Sequence, residues 1–148
     1  MNTKAKYYIC QIVFIASCLG GASMPAYAIT PICTLPPELS VSVTPNLLWP
    51  PNHKYVTVEA GVTVSGSCPN GITVTLVSVT SDEPDNGLGD GDQVNDIVII
   101  NDFTFNLRAE RSGLGDGRIY TITYQATDSS GNTTEASALV SVPLNQSN

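Results

Sequence analysis

The chain has 148 residues, 13 acidic and 6 basic side chains, and a formal net charge of −7 at pH 7. That acidity excludes nucleic acid and anionic lipid surfaces as natural partners, because phosphate repels carboxylate, and it favours cations or basic proteins. The length fits a single domain with a useful core.

Residues 1–28 read as an export leader. Lys4 and Lys6 precede the apolar run YYICQIVFIASCLGG, and MPAYA then offers small residues at Ala26 and Ala28, the layout of a signal peptide cleaved after Ala28. Gln11 and the glycines interrupt the run, so no membrane span is expected. Ile15-Ala16-Ser17-Cys18 also resembles a bacterial lipobox, which would anchor the chain by lipid on Cys18; free export is the first expectation. Loss of Lys4 and Lys6 with the leader takes the net charge from −7 to −9.

Cys33 and Cys68 are the cysteines left after the leader. In an oxidising compartment they are expected to form a disulfide. Two free thiols or a metal pair are the alternatives, and no CxxC spacing favours the latter.

From residue 39 onward the pattern is one of strands. Leu39–Val43 alternates, and Val56, Val58, Ala60, Val62 and Val64 share one face. Residues 72–81 follow, with Leu76-Val77 breaking the alternation, which predicts a bulge or burial on both faces. A short apolar run at 97–100 leads into Asn101-Asp102, read as a two-residue hairpin turn. Phe103, Phe105, Leu107 and Ala109 alternate with polar residues; Tyr120, Ile122, Tyr124 and Ala126 repeat the pattern. Asp128-Ser-Ser-Gly-Asn132 is a turn cluster, in which Asp128 and Asn132 are turn-formers. Ala136, Ala138, Val140 and Val142 close the series.

About seven such strands predict an all-β fold, a two-sheet antiparallel sandwich of immunoglobulin-like type. Residues 29–43 form a tied N-terminal segment and first strand, 44–143 the sandwich, and 144–148 a tail. Asp116-Gly-Arg-Ile-Tyr120-Thr-Ile122 fits a tyrosine corner, in which Tyr120 buries its ring and hydrogen-bonds upstream backbone.

The segments LWPPNHKYV, VTSDEPDNGLGDGD, LRAERSGLGDGRIYTITYQATDSSGN and the closing valine-rich strand carry a resemblance. From residue 44 to 143 the chain resembles a bacterial secreted immunoglobulin-like domain family related to HYR modules. The resemblance implies a non-catalytic adhesion or spacer module. Members often stand in arrays, whereas this sequence carries a leader and one domain.

Up-and-down strand order predicts that the loops 44–54, 82–95 and 112–117 gather at one end, and 65–71, 101–102 and 128–132 at the other. The first group is acidic. Calcium takes about six to eight oxygens in a flexible cage. This rim offers Asp82, Asp85, Asp90, Asp92, Asp96, Glu110 and Asp116, and the repeated GLGDG at 87–91 and 113–117 permits close backbone approach. LRAER also resembles, loosely, the LDRE calcium motif of cadherins. No EF-hand spacing is present. The alternative is that Arg108, Arg111 and Arg118 neutralise these carboxylates without a metal, or that the loop is simply solvated.

Trp49, beside Pro50 and Pro51, is either a lid on the end of the core or an exposed platform for a protein or a sugar ring. His53 is the sole histidine. No nucleophile elbow, HExxH or multi-histidine zinc pattern accompanies it, so no enzyme is expected. The sequence therefore predicts an exported, non-catalytic binding or adhesion module, with calcium at the acidic rim and Trp49 and His53 facing a protein or carbohydrate partner at a cell surface. The alternative is a small exported inhibitor of a basic enzyme.

Overall fold

The computed structural model describes residues 33–66, 68, 71–86 and 94–145. The expected leader with Cys18, and Asp90 and Asp92 of the acidic loop, lie outside them. Among the described residues the regular elements are strands: β1 (Glu38–Thr44), β2 (Tyr55–Ser65), β3 (Ile72–Ser81), β4 (Ile97–Asn101), β5 (Thr104–Arg108), β6 (Gly117–Asp128) and β7 (Thr133–Pro143). No helix there is long and apolar enough to cross a membrane.

The pairings between these strands are antiparallel and build two sheets, a four-stranded one ordered β1-β2-β5-β4 and a three-stranded one ordered β3-β6-β7. The period-two pattern sets the inward faces. In β6, Arg118, Tyr120, Ile122, Tyr124 and Ala126 are buried, while Thr121, Thr123, Gln125 and Thr127 stand on the opposite face. Val58, Phe105 and Leu107 of the first sheet meet Tyr120, Ile122, Tyr124, Val140 and Val142 of the second in one core. Each such side chain, fully buried, contributes about 1.5–3 kcal/mol by leaving water.

Two local irregularities fall near their sequence signals. The β3–β6 register shifts between Leu76 and Ser78, a bulge that leaves Val77 exposed. The β4–β5 hairpin closes at Asn101↔Thr104, so the turn residues are Asp102 and Phe103, one position later than Asn101-Asp102. The reason is local: the Asn101 side chain accepts the Phe103 N–H at 2.9 Å and closes the turn from the strand side. Phe103 thereby leaves the strand, yet its ring stacks on Tyr124 with centroids 5.9 Å apart.

Leu48, not Trp49, plugs the core. Leu48 is 1% exposed and Trp49 is 39% exposed. Backbone bonds Leu48 N–H to Ser141 O (2.8 Å) and Ser141 N–H to Asn46 O (3.0 Å) clip this segment along the edge of β7 and aim Leu48 inward. The adjacent residue must then point away.

Candidate functional site at the charged rim

Three connections meet at one end of the sandwich: residues 45–54, the described ends 82–86 and 94–96 of the acidic loop, and residues 109–117. Contacts between His53 and Glu110, and between Glu83 and both Ser112 and Arg118, join them. Their centre is a buried charge network. Asp96 is 1% exposed; its Oδ1 accepts Arg108 Nε–H at 3.2 Å and its Oδ2 accepts Arg118 Nη1–H. Arg118 is fully buried because it shares the inward face of β6 with Tyr120. It donates from Nε to Glu83 Oε2 at 3.0 Å and from Nη1 to the Tyr120 hydroxyl at 3.2 Å. Arg108 lies 4.3 Å over the Tyr55 ring and donates to the carbonyls of His53 (3.0 Å) and Val94 (2.8 Å).

Each expected loop carboxylate that the structure describes has a definite place. Asp85 accepts backbone N–H groups of Asn95 (3.1 Å) and Asp96 (2.6 Å), closing the acidic loop on itself; these bonds hold its carboxyl below the usual range. Asp82 accepts the Ile119 N–H at 2.8 Å. Asp96 and Glu110 face guanidinium groups, and Asp116 is exposed. Arg108 and Arg118 thus lie against Asp96, Glu110 and Glu83. Arg111 instead donates to the carbonyls of Pro143 (3.1 Å) and Leu144 (2.9 Å) at the end of β7. Sequence spacing does not mark Glu83 or Tyr55 as site residues. The parity of Arg118 with Tyr120 was the available signal, since an inward arginine demands buried carboxylates.

Glu110 is the unusual member. It is fully buried; Oε2 faces His53 Nδ1 at 3.1 Å and Arg108 Nε at 3.6 Å, and Oε1 has no hydrogen-bond partner among the described residues. Burial pushes its carboxyl above the ordinary range, and the neighbouring Asp96 adds to the rise. His53 adopts the left-handed backbone region at φ 61°, fixed by its N–H to Ala109 O (3.0 Å) and by Arg108 on its own carbonyl. Its side chain is 50% exposed. Trp49 lies four residues earlier on the same connection.

The opposite end is covalent. Cys33 and Cys68 form a disulfide with Cα atoms 5.5 Å apart, closing a separation of 35 residues. Such a bond fits an oxidising compartment outside the cytosol. The 128–132 turn supports it: Ser129 Oγ lies 3.7 and 3.6 Å from the two sulfurs, and Ser130 Oγ accepts the Cys33 N–H at 2.9 Å. Asp128 accepts N–H groups of Ser130 (2.8 Å) and Asn132 (2.9 Å). Cys33, Cys68 and Asp128 are close enough to share an ion, but the disulfide occupies both sulfurs. A groove of about 820 Å³ lies between residues 35–40 and 63–65, and Glu38 is the ionisable residue on its wall. No family model matches the chain, and neither a curated protein nor a solved structure matches it.

Proposed function

We propose that the chain is an exported, non-catalytic binding or adhesion module of immunoglobulin-like type, and that it meets a protein or carbohydrate at a cell surface through Trp49 and His53. The observation that carries this reading is the division of labour at the rim. Its ionisable groups are largely committed to one another or to backbone, whereas the indole and the imidazole remain partly open to solvent. An amphipathic aromatic beside a polar ring suits recognition of a partner more than chemistry on it.

The strand order β1-β2-β5-β4 over β3-β6-β7 corresponds to the A-B-E-D and C-F-G sheets of constant-type immunoglobulin domains. The Tyr120 hydroxyl bond to upstream backbone supports the same assignment. The leader-like N-terminus and the disulfide support export.

The test is binding of the labelled, purified protein to intact cells and to a glycan array. Saturable binding is expected, weakened about tenfold or more by Trp49→Ala while the melting temperature stays unchanged. Binding indifferent to both Trp49→Ala and His53→Ala would reject the surface. A hydrolytic activity lost on changing one carboxylate would reject the class.

A further inference from the structure

Glu110 presents a problem of charge and hydrogen bonding that the rim solves with one proton. Around it stand His53 from the 45–54 connection, Arg108 from β5, Asp96 ahead of β4, and Arg118 and Tyr120 from β6, with Glu83 behind Arg118. Two guanidinium groups already face two carboxylates, Asp96 and Glu83. An ionised Glu110 is therefore a third negative charge against two guanidinium groups, fully buried, sharing Arg108 (3.6 Å) with Asp96, and its Oε1 has no donor among the described residues. The nearby hydroxyls do not supply one, because Tyr120 donates to the Arg108 carbonyl and Tyr55 to the Asn95 carbonyl. A bare buried carboxylate oxygen is costly. A proton on Oε1 removes the charge and turns the orphan acceptor into a donor. His53 in the tautomer protonated at Nδ1 donates to Oε2 in either state.

We propose that Glu110 is a proton-binding site that fastens residues 49–54 when it is a carboxylic acid and loosens them when it is a carboxylate. This gives the partner surface proposed above a pH-dependent hold, and as regulation it rests on that reading. The coupling is direct. The segment is tied to the end of β5 by His53 N–H to Ala109 O (3.0 Å), by Ala109 N–H to Lys54 O (2.9 Å) and by the His53–Glu110 bond. The half-exposed His53 side is where water must enter to solvate an ionised Glu110. The folded carboxyl titrates above its unfolded value, so the stability it confers is complete below the ordinary glutamate range. That stability is lost as pH rises through the folded value.

The experiment follows the glutamate side-chain carboxyl carbons of the full protein by NMR from about pH 4 to about pH 8, together with hydrogen-exchange protection at His53 and Ala109. One glutamate is expected to stay protonated well above the others. Protection at the two amides is expected to fall about tenfold with the same midpoint. Glu110→Gln should abolish that carboxyl signal and keep both amides protected throughout. If every glutamate ionises in the ordinary range, or if protection ignores the high-titrating one, the proposal is wrong. Should Glu110→Gln fail to fold, the coincidence of midpoints in the parent still decides. None of these readouts involves a partner, so a failed Trp49 surface and a failed proton site are separable.

Discussion

The hydroxyl of Tyr120 donates to the carbonyl of Arg108 at 2.8 Å, across 12 residues of sequence and from one sheet to the other. That carbonyl also accepts the Glu110 N–H at 2.9 Å, so this one oxygen locks the end of β5 to β6 just where the charged rim begins. Burial pushes the Tyr120 hydroxyl up to about 12, keeping it a donor across the working range. Tyr120→Phe keeps the ring and removes the hydroxyl. It leaves Arg118 Nη1 without one acceptor, and a loss of about 1–3 kcal/mol is expected in urea unfolding.

Arg118 should be more sensitive than its surface counterparts. It is fully buried between Asp96 and Glu83, so Arg118→Met removes the cation these two carboxylates share in a poorly solvated site and leaves Asp96 with Arg108 alone. Breaking one partner out of such a group costs about 3–5 kcal/mol. A double-mutant cycle with Asp96→Asn, read by chemical denaturation, should show strong coupling; additive effects would mean that the two groups act independently.

The disulfide closes a separation of 35 residues, for which the chain-entropy model gives about 3–4 kcal/mol. Replacing both Cys33 and Cys68 by serine should lower the calorimetric melting temperature, and adding reductant to the parent should reproduce the shift. Reductant without effect would show that the bond contributes little.

On the acid side, the backbone bonds to Asp85 and the Asn132 and Ser130 bonds to Asp128 hold these carboxyls low, outweighing burial at Asp128. A folded value below the unfolded one confers stability above the unfolded value, lost as pH falls through the folded one. Melting temperature should therefore drop as pH falls below about 4, with a shallower drop in Asp128→Asn.

Calcium should have little effect on the described part of the rim, because Asp96, Glu83 and Glu110 face arginine or histidine. Equal melting curves in millimolar calcium and in chelator are expected. A rise of several degrees with calcium would place the ion at the carboxylates of the 82–96 loop.

The sandwich was legible because its signals are local. Alternation in β6 named Tyr120, Ile122, Tyr124 and Ala126, and the Leu76-Val77 break marked the bulge. Topology then gathered the three rim connections correctly, since alternate loops share an end. What sequence left open was partner choice. Whether Asp96 faces a cation or Arg118 depends on contacts across 22 residues, and no spacing rule reports that. Trp49 and Leu48 differ by one register step, and the choice between them was made by backbone bonds to Ser141 rather than by hydrophobicity.

The covalent link from Cys33 to Cys68 also sets a load path. Tension applied ahead of Cys33 would pass straight to Cys68 and leave β1 and β2 as a slack, shielded loop. The mechanical resistance of the module would then fall on the second sheet, on the plugging segment at β7 and on the arginine knot.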